Sequence, residues 1–158
     1  VTDYFEWQAA GFALVPGGRG SMHRSERRLE AVYFGYDARR FYLRLDPAPD
    51  PRGVPEKGAV TVQFVSPLER RLRIRRDPSG QWRCTWAESV AAPPPAFAAD
   101  RVLELAIPLE DLGIDRTREL RFFVTVSDDG RELERLPESD FLVVGIDPTG
   151  LDHQEWIV

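Results

Sequence analysis

Apolar positions in this chain recur at every second residue over short stretches, and each stretch stops at glycine, proline or aspartate. That period predicts half-buried strands rather than helices. Leu29 to Tyr36 and Arg40 to Asp46 read as a hairpin across Asp37-Ala38-Arg39. Ala59 to Val65 puts Val60, Val62 and Phe64 on one face, with Thr61 and Gln63 on the other. Glu69 to Arg76 pairs with Gln81 to Glu88 across Asp77-Pro78-Ser79-Gly80, whose residue types make a strong turn. Within that hairpin Leu72 and Ile74 point one way while Arg71, Arg73 and Arg75 point the other. On its second strand Trp82, Cys84 and Trp86 share a face opposite Arg83 and Thr85. Val102 to Ile107 turns Leu103, Leu105 and Ile107 inward. Leu120 to Ser127 is the clearest core strand, with Leu120, Phe122, Val124 and Val126 on one face and a break at Asp128-Asp129-Gly130.

The remaining segments are less regular. Tyr4 to Val15 is apolar and aromatic around Gly11, and reads as one bulged strand or two short ones. Pro16 to Ser21 is a glycine-rich loop, and the prolines of Pro47 to Gly58 make an irregular connection. Ala91 to Asp100 is excluded from any central strand, because Pro93, Pro94 and Pro95 remove ladder donors. Leu109 to Gly113 reads as a single helical turn and Arg131 to Leu136 as an edge strand. Phe141 to Ile146 is expected as the last interior strand, and His153 to Val158 as an edge. Nine to ten mostly antiparallel strands predict an all-β, two-sheet β-sandwich, jelly-roll or immunoglobulin-like in outline, spanning residues 1–158 as one domain.

Size and charge narrow the functions. A chain of 158 residues buries roughly 68–70% of its unfolded surface, enough for a real core. The net charge of −5 argues against a nucleic-acid partner, since phosphate binding wants a basic surplus. No apolar run reaches the about 20 residues of a membrane helix, so no membrane partner is expected. The start at Val1 suggests a domain taken from a longer chain. Cys84, the single cysteine, excludes an internal disulfide and is expected as a buried, inert thiol. This is compatible with a reducing compartment, and a cytoplasmic setting is the expectation.

No catalytic constellation emerges. Ser21 beside His23 is not a triad, because nucleophile and base must meet in space with a third group orienting the base. Haem would need two axial ligands, and the adjacency of Met22 and His23 rules out ligation from opposite sides. One cysteine and two histidines rule out a Cys/His zinc site. No cofactor is expected; calcium is the one metal for which carboxylates gather, at Asp46/Asp50, Asp128/Asp129/Glu132 and Asp147/Asp152, without a full ligand spacing. The tryptophans admit a carbohydrate platform, because sugar C–H groups pack on aromatic faces. In that case Trp82, Trp86 and Trp7 would stack, while Arg73, Arg83 and Glu6 would bond hydroxyls. The alternative is that Trp82 and Trp86 fill the core beside Leu72 and Ile74.

Three runs, Asp3 to Gly11 (DYFEWQAAG), Gly17 to Arg24 (GGRGSMHR) and Val32 to Asp46 (VYFGYDARRFYLRLD), resemble the C-terminal domain of many family 57 glycoside hydrolases, as does the closing Trp156 to Val158. Those enzymes are retaining and α-glucan-active, with a catalytic barrel upstream. The runs YDARRFYLRLD, LELAIPLEDLGI and FFVTVSDDG are more loosely similar to family 9-type carbohydrate-binding modules and DOMON-like sandwiches. The resemblance implies a noncatalytic accessory domain of a carbohydrate-active enzyme and leaves its own ligand open; its expected partner is the upstream catalytic domain of the same chain, and its expected role is α-glucan binding, bracing of the barrel, or both. Tyr4, Trp7, Met22 and His23 would then form the surface on which the barrel docks, since Trp, Met and His in a glycine-rich segment suit a packed contact. The alternative is a purely structural or interaction domain with no ligand.

Overall fold

The computed structural model describes residues 27–49, 51–88, 93–116 and 118–147, and the backbone of 11–14. It is an antiparallel β-sandwich. One sheet has the order β1 (Gly11–Leu14), β2 (Leu29–Tyr36), β3 (Arg40–Pro47), β8 (Leu103–Pro108), β7 (Ala96–Ala99). The other runs β10 (Arg131–Leu136), β9 (Arg118–Asp128), β4 (Gly58–Ser66), β5 (Arg70–Arg76), β6 (Trp82–Trp86). A further strand, β11 (Leu142–Ile146), pairs with residues 118–122 of β9, and β10 pairs with residues 124–128. Because β4 occupies the other side of β9, β10 and β11 lie end to end along one edge.

This is the two-sheet antiparallel β-sandwich expected from the alternation, and the expected edge strand His153 to Val158 lies outside the described residues. Strand β7 follows the three prolines and occurs only at the edge, beside β8. Phe141 to Ile146 is corrected from an interior to an edge strand. It bonds β9 alone, and its Val143 is 50% exposed.

Alternation dictates the packing. Val60, Val62 and Phe64 of β4, Leu72 and Ile74 of β5, and Leu120, Phe122, Val124 and Val126 of β9 are all buried. From the facing sheet come Leu29, Val32 and Phe34, Phe41, Leu43 and Leu45, and Leu103, Leu105 and Ile107. Four rings join the layers. Phe34 and Phe41 of the first sheet meet Phe122 of the second edge to face, at centroid distances of 5.6 and 5.5 Å. Phe64 lies 5.9 Å from Phe122 and 6.2 Å from Phe41. The Phe34–Phe122, Phe41–Phe122 and Phe41–Phe64 pairs are T-shaped and place the positive ring edge against the negative face, while Phe64 and Phe122 are tilted by 38°.

Turns follow from local chemistry. Asp37 accepts the backbone N–H groups of Arg39 and Arg40 at 2.7 Å each and the Tyr42 hydroxyl at 2.7 Å, closing β2 onto β3. Between β9 and β10, Asp129 and Gly130 both take positive φ, 46° and 81°, the tight hairpin geometry that Asp-Gly favours. Pro108 precedes a 3-10 helix, Leu109–Leu112, which Gly113 ends at φ 73°. Cys84 is buried, and desolvation pushes its thiol up to about 12, so it stays protonated. Among the described residues no helix is long and apolar enough to cross a membrane.

Candidate functional site

Two shallow depressions lie side by side on the outer face of the six-stranded sheet. The smaller, about 390 Å³, is lined by Thr61, Gln63, Arg71, Arg73, Ala87, Phe123, Thr125 and Glu132. The larger, about 680 Å³, lies toward the β5–β6 turn and is bordered by Lys57, Arg75, Arg83 and Thr85, with Glu56 and Asp77 at its rim. Their composition is the polar half of the two-residue period. On β4, Thr61 and Gln63 alternate with the buried Val60, Val62 and Phe64. The register then aligns these outward positions across strands: Thr61 is opposite Thr125 on β9 and Arg73 on β5, and Arg73 is opposite Thr85 on β6. Arg75 stands between Ala59 and Arg83.

The arginines differ in what holds them. Arg71 donates to Gln63 Oε1 at 2.8 Å and lies 3.8 Å from Glu88. Arg83 donates to Asp77 Oδ2 at 3.0 Å. Between these, Arg73 and Arg75 have no hydrogen-bond or ion-pair partner among the described residues. Beyond β4, Phe123 carries the Arg135 guanidinium 4.1 Å from its ring centroid and lies 6.1 Å from Phe141.

Trp82 and Trp86 face the other way. Trp86 is opposite Leu72 and Trp82 opposite Arg76, on the core side of edge strand β6. Both indoles are half-buried against the core. The Arg70 guanidinium stands 5.8 Å from the Trp86 ring and that of Arg76 stands 4.8 Å from Trp82, while Trp86 Nε1 donates to the Pro93 carbonyl at 3.0 Å. Trp82 and Trp86 on one side and Arg73 and Arg83 on the other therefore do not form one clamp, because alternation puts them on opposite faces of the sheet. Tyr4, Glu6, Trp7, Met22 and His23 lie outside the described residues. So do Asp50 and Asp152 of the carboxylate pairs, and Asp46 accepts two bonds from Arg44 at 2.8 and 3.0 Å. No group of three metal-ligating side chains converges among the described residues.

Thr61, Gln63 and Thr125 were visible in the sequence only as outward positions. Their meeting depends on β4 lying between β5 and β9, which no local pattern encodes.

Asp77 fixes the rim. Its carboxylate accepts the Ser79 hydroxyl and backbone N–H, the Gln81 N–H, and Arg83. The Ser79 hydroxyl, then Arg83, lower its pKa from 3.8 to about 2. A depressed folded pKa means that Asp77 contributes stability above pH 3.8, lost as pH falls through about 2. Carboxyl ¹³C NMR titration should find Asp77 near 2, moving toward 3.8 in Ser79→Ala and by less in Arg83→Gln.

The chain matches no protein-family model and no curated protein.

Proposed function

We propose that this sandwich is a noncatalytic carbohydrate-binding module, acting through the outer face of its six-stranded sheet as an accessory domain of an α-glucan-acting glycoside hydrolase. The observation that supports this most is the smaller depression. It presents hydroxyl, amide, guanidinium and carboxylate groups together, from Thr61 and Thr125, Gln63, Arg73 and Glu132. Sugar hydroxyls each donate and accept, so a surface offering both types of group at strand spacing satisfies them without reorganising. Rigid sheet positions also fix those groups at low entropic cost. The upstream barrel and the glucan follow from the resemblance of the N-terminal 46 residues and of the later strand runs.

Calorimetric titration of the 158-residue chain with soluble starch tests the reading. Saturable heat is expected. The isosteric pair Thr61→Val and Thr125→Val should weaken affinity roughly tenfold, through loss of two hydroxyl contacts. Trp86→Phe, on the core side, should leave affinity unchanged. Loss of binding in Trp86→Phe with full binding in the threonine pair would move the site off this face.

A further inference from the structure

We infer that the polysaccharide received on this face is anionic, carrying sulfate, phosphate or carboxylate groups that Arg73 and Arg75 bind. This rests on the carbohydrate-binding reading and narrows its ligand.

Three observations lead to it. First, the charges are unbalanced where they are most costly. Arg75 and Arg83 are directly opposite on paired strands, an arrangement that destabilises a sheet when nothing compensates. Asp77 compensates Arg83, and Gln63 with Glu88 holds Arg71. Arg73 and Arg75 between them face two threonines, an alanine and a like charge across the ladder. In a chain of net charge −5, this segregates positive charge onto one strip.

Second, the strip has a repeat. Alternate residues of one strand stand about 7 Å apart, so Arg73 and Arg75 can each engage a separate anionic group of an extended polymer. The planar guanidinium presents paired donors that match sulfate, phosphate and carboxylate oxygens.

Third, an aromatic platform is lacking. Among the residues lining the two depressions Phe123 is the sole aromatic, and Arg135 stacks on it at 4.1 Å. Single-stranded nucleic acids draw much of their affinity from open rings. A ligand here relies on hydrogen bonds and charge. The threonine hydroxyls beside Arg73, together with Gln63, supply the sugar hydroxyls with partners that a nucleic-acid backbone uses less. Glu132 on β10 sets the polarity, keeping the anionic groups on the β5 side.

Titration with dextran and dextran sulfate, which share one glucan backbone, tests the inference. Dextran sulfate should bind at least about tenfold tighter at low salt, with an advantage that shrinks as salt rises. Polygalacturonate should follow it. The double substitution Arg73→Gln and Arg75→Gln should remove that advantage, while Arg75→Gln alone, outside the smaller depression, should narrow it and change soluble starch binding by less than about threefold. Equal binding of dextran and dextran sulfate would overturn the anionic assignment and leave the carbohydrate reading standing. No binding of starch, dextran or either acidic polymer would overturn both. Oligothymidine binding as tight as dextran sulfate would overturn the assignment to a polysaccharide. Circular dichroism of the double variant should match the parent, since both side chains are exposed on the sheet surface.

Discussion

Replacing Phe122 by alanine should cost about 3–5 kcal/mol and lower the melting temperature by roughly 10 °C. Phe122 is fully buried at the centre of β9, and its ring meets Phe34, Phe41 and Phe64. Two of those contacts cross between the sheets, so truncation opens a cavity in the layer that joins them. Neighbouring strands on both sides, β4 and the β10/β11 edge, hold the backbone of β9 and limit collapse into that space. Phe123 provides the control. One residue further on, it points to the outer face, half-buried, with its main contacts to Arg135 and Phe141. Phe123→Ala should cost less than half as much in urea unfolding. Equal losses at the two positions would mean that β9 does not present opposite faces to core and solvent.

The second large effect is expected at Glu134. Its Oε2 accepts the backbone N–H groups of Arg28 and Leu29, at 2.7 and 3.0 Å, across the sandwich from β10 to the start of β2. A register shift between Glu132 and Glu134 accompanies that inward position. Glu134→Ala strips both N–H groups of their acceptor, beside the fully buried Leu29, and should cost about 2 kcal/mol or more. Desolvation raises the Glu134 pKa above 4.5, and the two backbone N–H groups oppose it without cancelling it. For a carboxyl with a raised folded pKa, the linked stability is present below the unfolded value and is lost as pH rises through the folded one. The stability of the parent relative to Glu134→Gln should therefore decline between acid and neutral pH. Paired urea titrations at about pH 4 and pH 7 measure this; a parent that gains on the glutamine variant over that interval would contradict it.

These two side chains also mark what can be read from the chain. Phe122 was legible as core because Leu120, Phe122, Val124 and Val126 alternate without interruption. The hairpin turns were legible for the same local reason, since Asp37 and Asp77 carry the side-chain acceptors that their turns use. Glu134 was not legible. A glutamate in a polar stretch looks solvated until a bulge turns it inward and a strand more than a hundred residues away supplies the donors. The candidate site divides similarly. The outward direction of Arg73 and Arg83 came from alternation alone, and so did the opposed direction of Trp82 and Trp86. What alternation cannot supply is strand order. The threonines of β4 and β9 become neighbours of the β5 arginines only because a long crossover brings β9 back beside β4. The edge position of β11 escaped for the same reason, being set by which side of β9 was still unpaired.

On the proposed function, the outer side of the six-stranded sheet meets the ligand. Backbone and indole ¹H–¹⁵N NMR spectra, recorded while soluble starch and then dextran sulfate are added, test this most directly. Shifts are expected to cluster at Thr61, Gln63, Arg73, Arg75 and Thr125, with the Trp82 and Trp86 indole signals unmoved. Shifts centred on those two indoles, with a silent outer face, would contradict it.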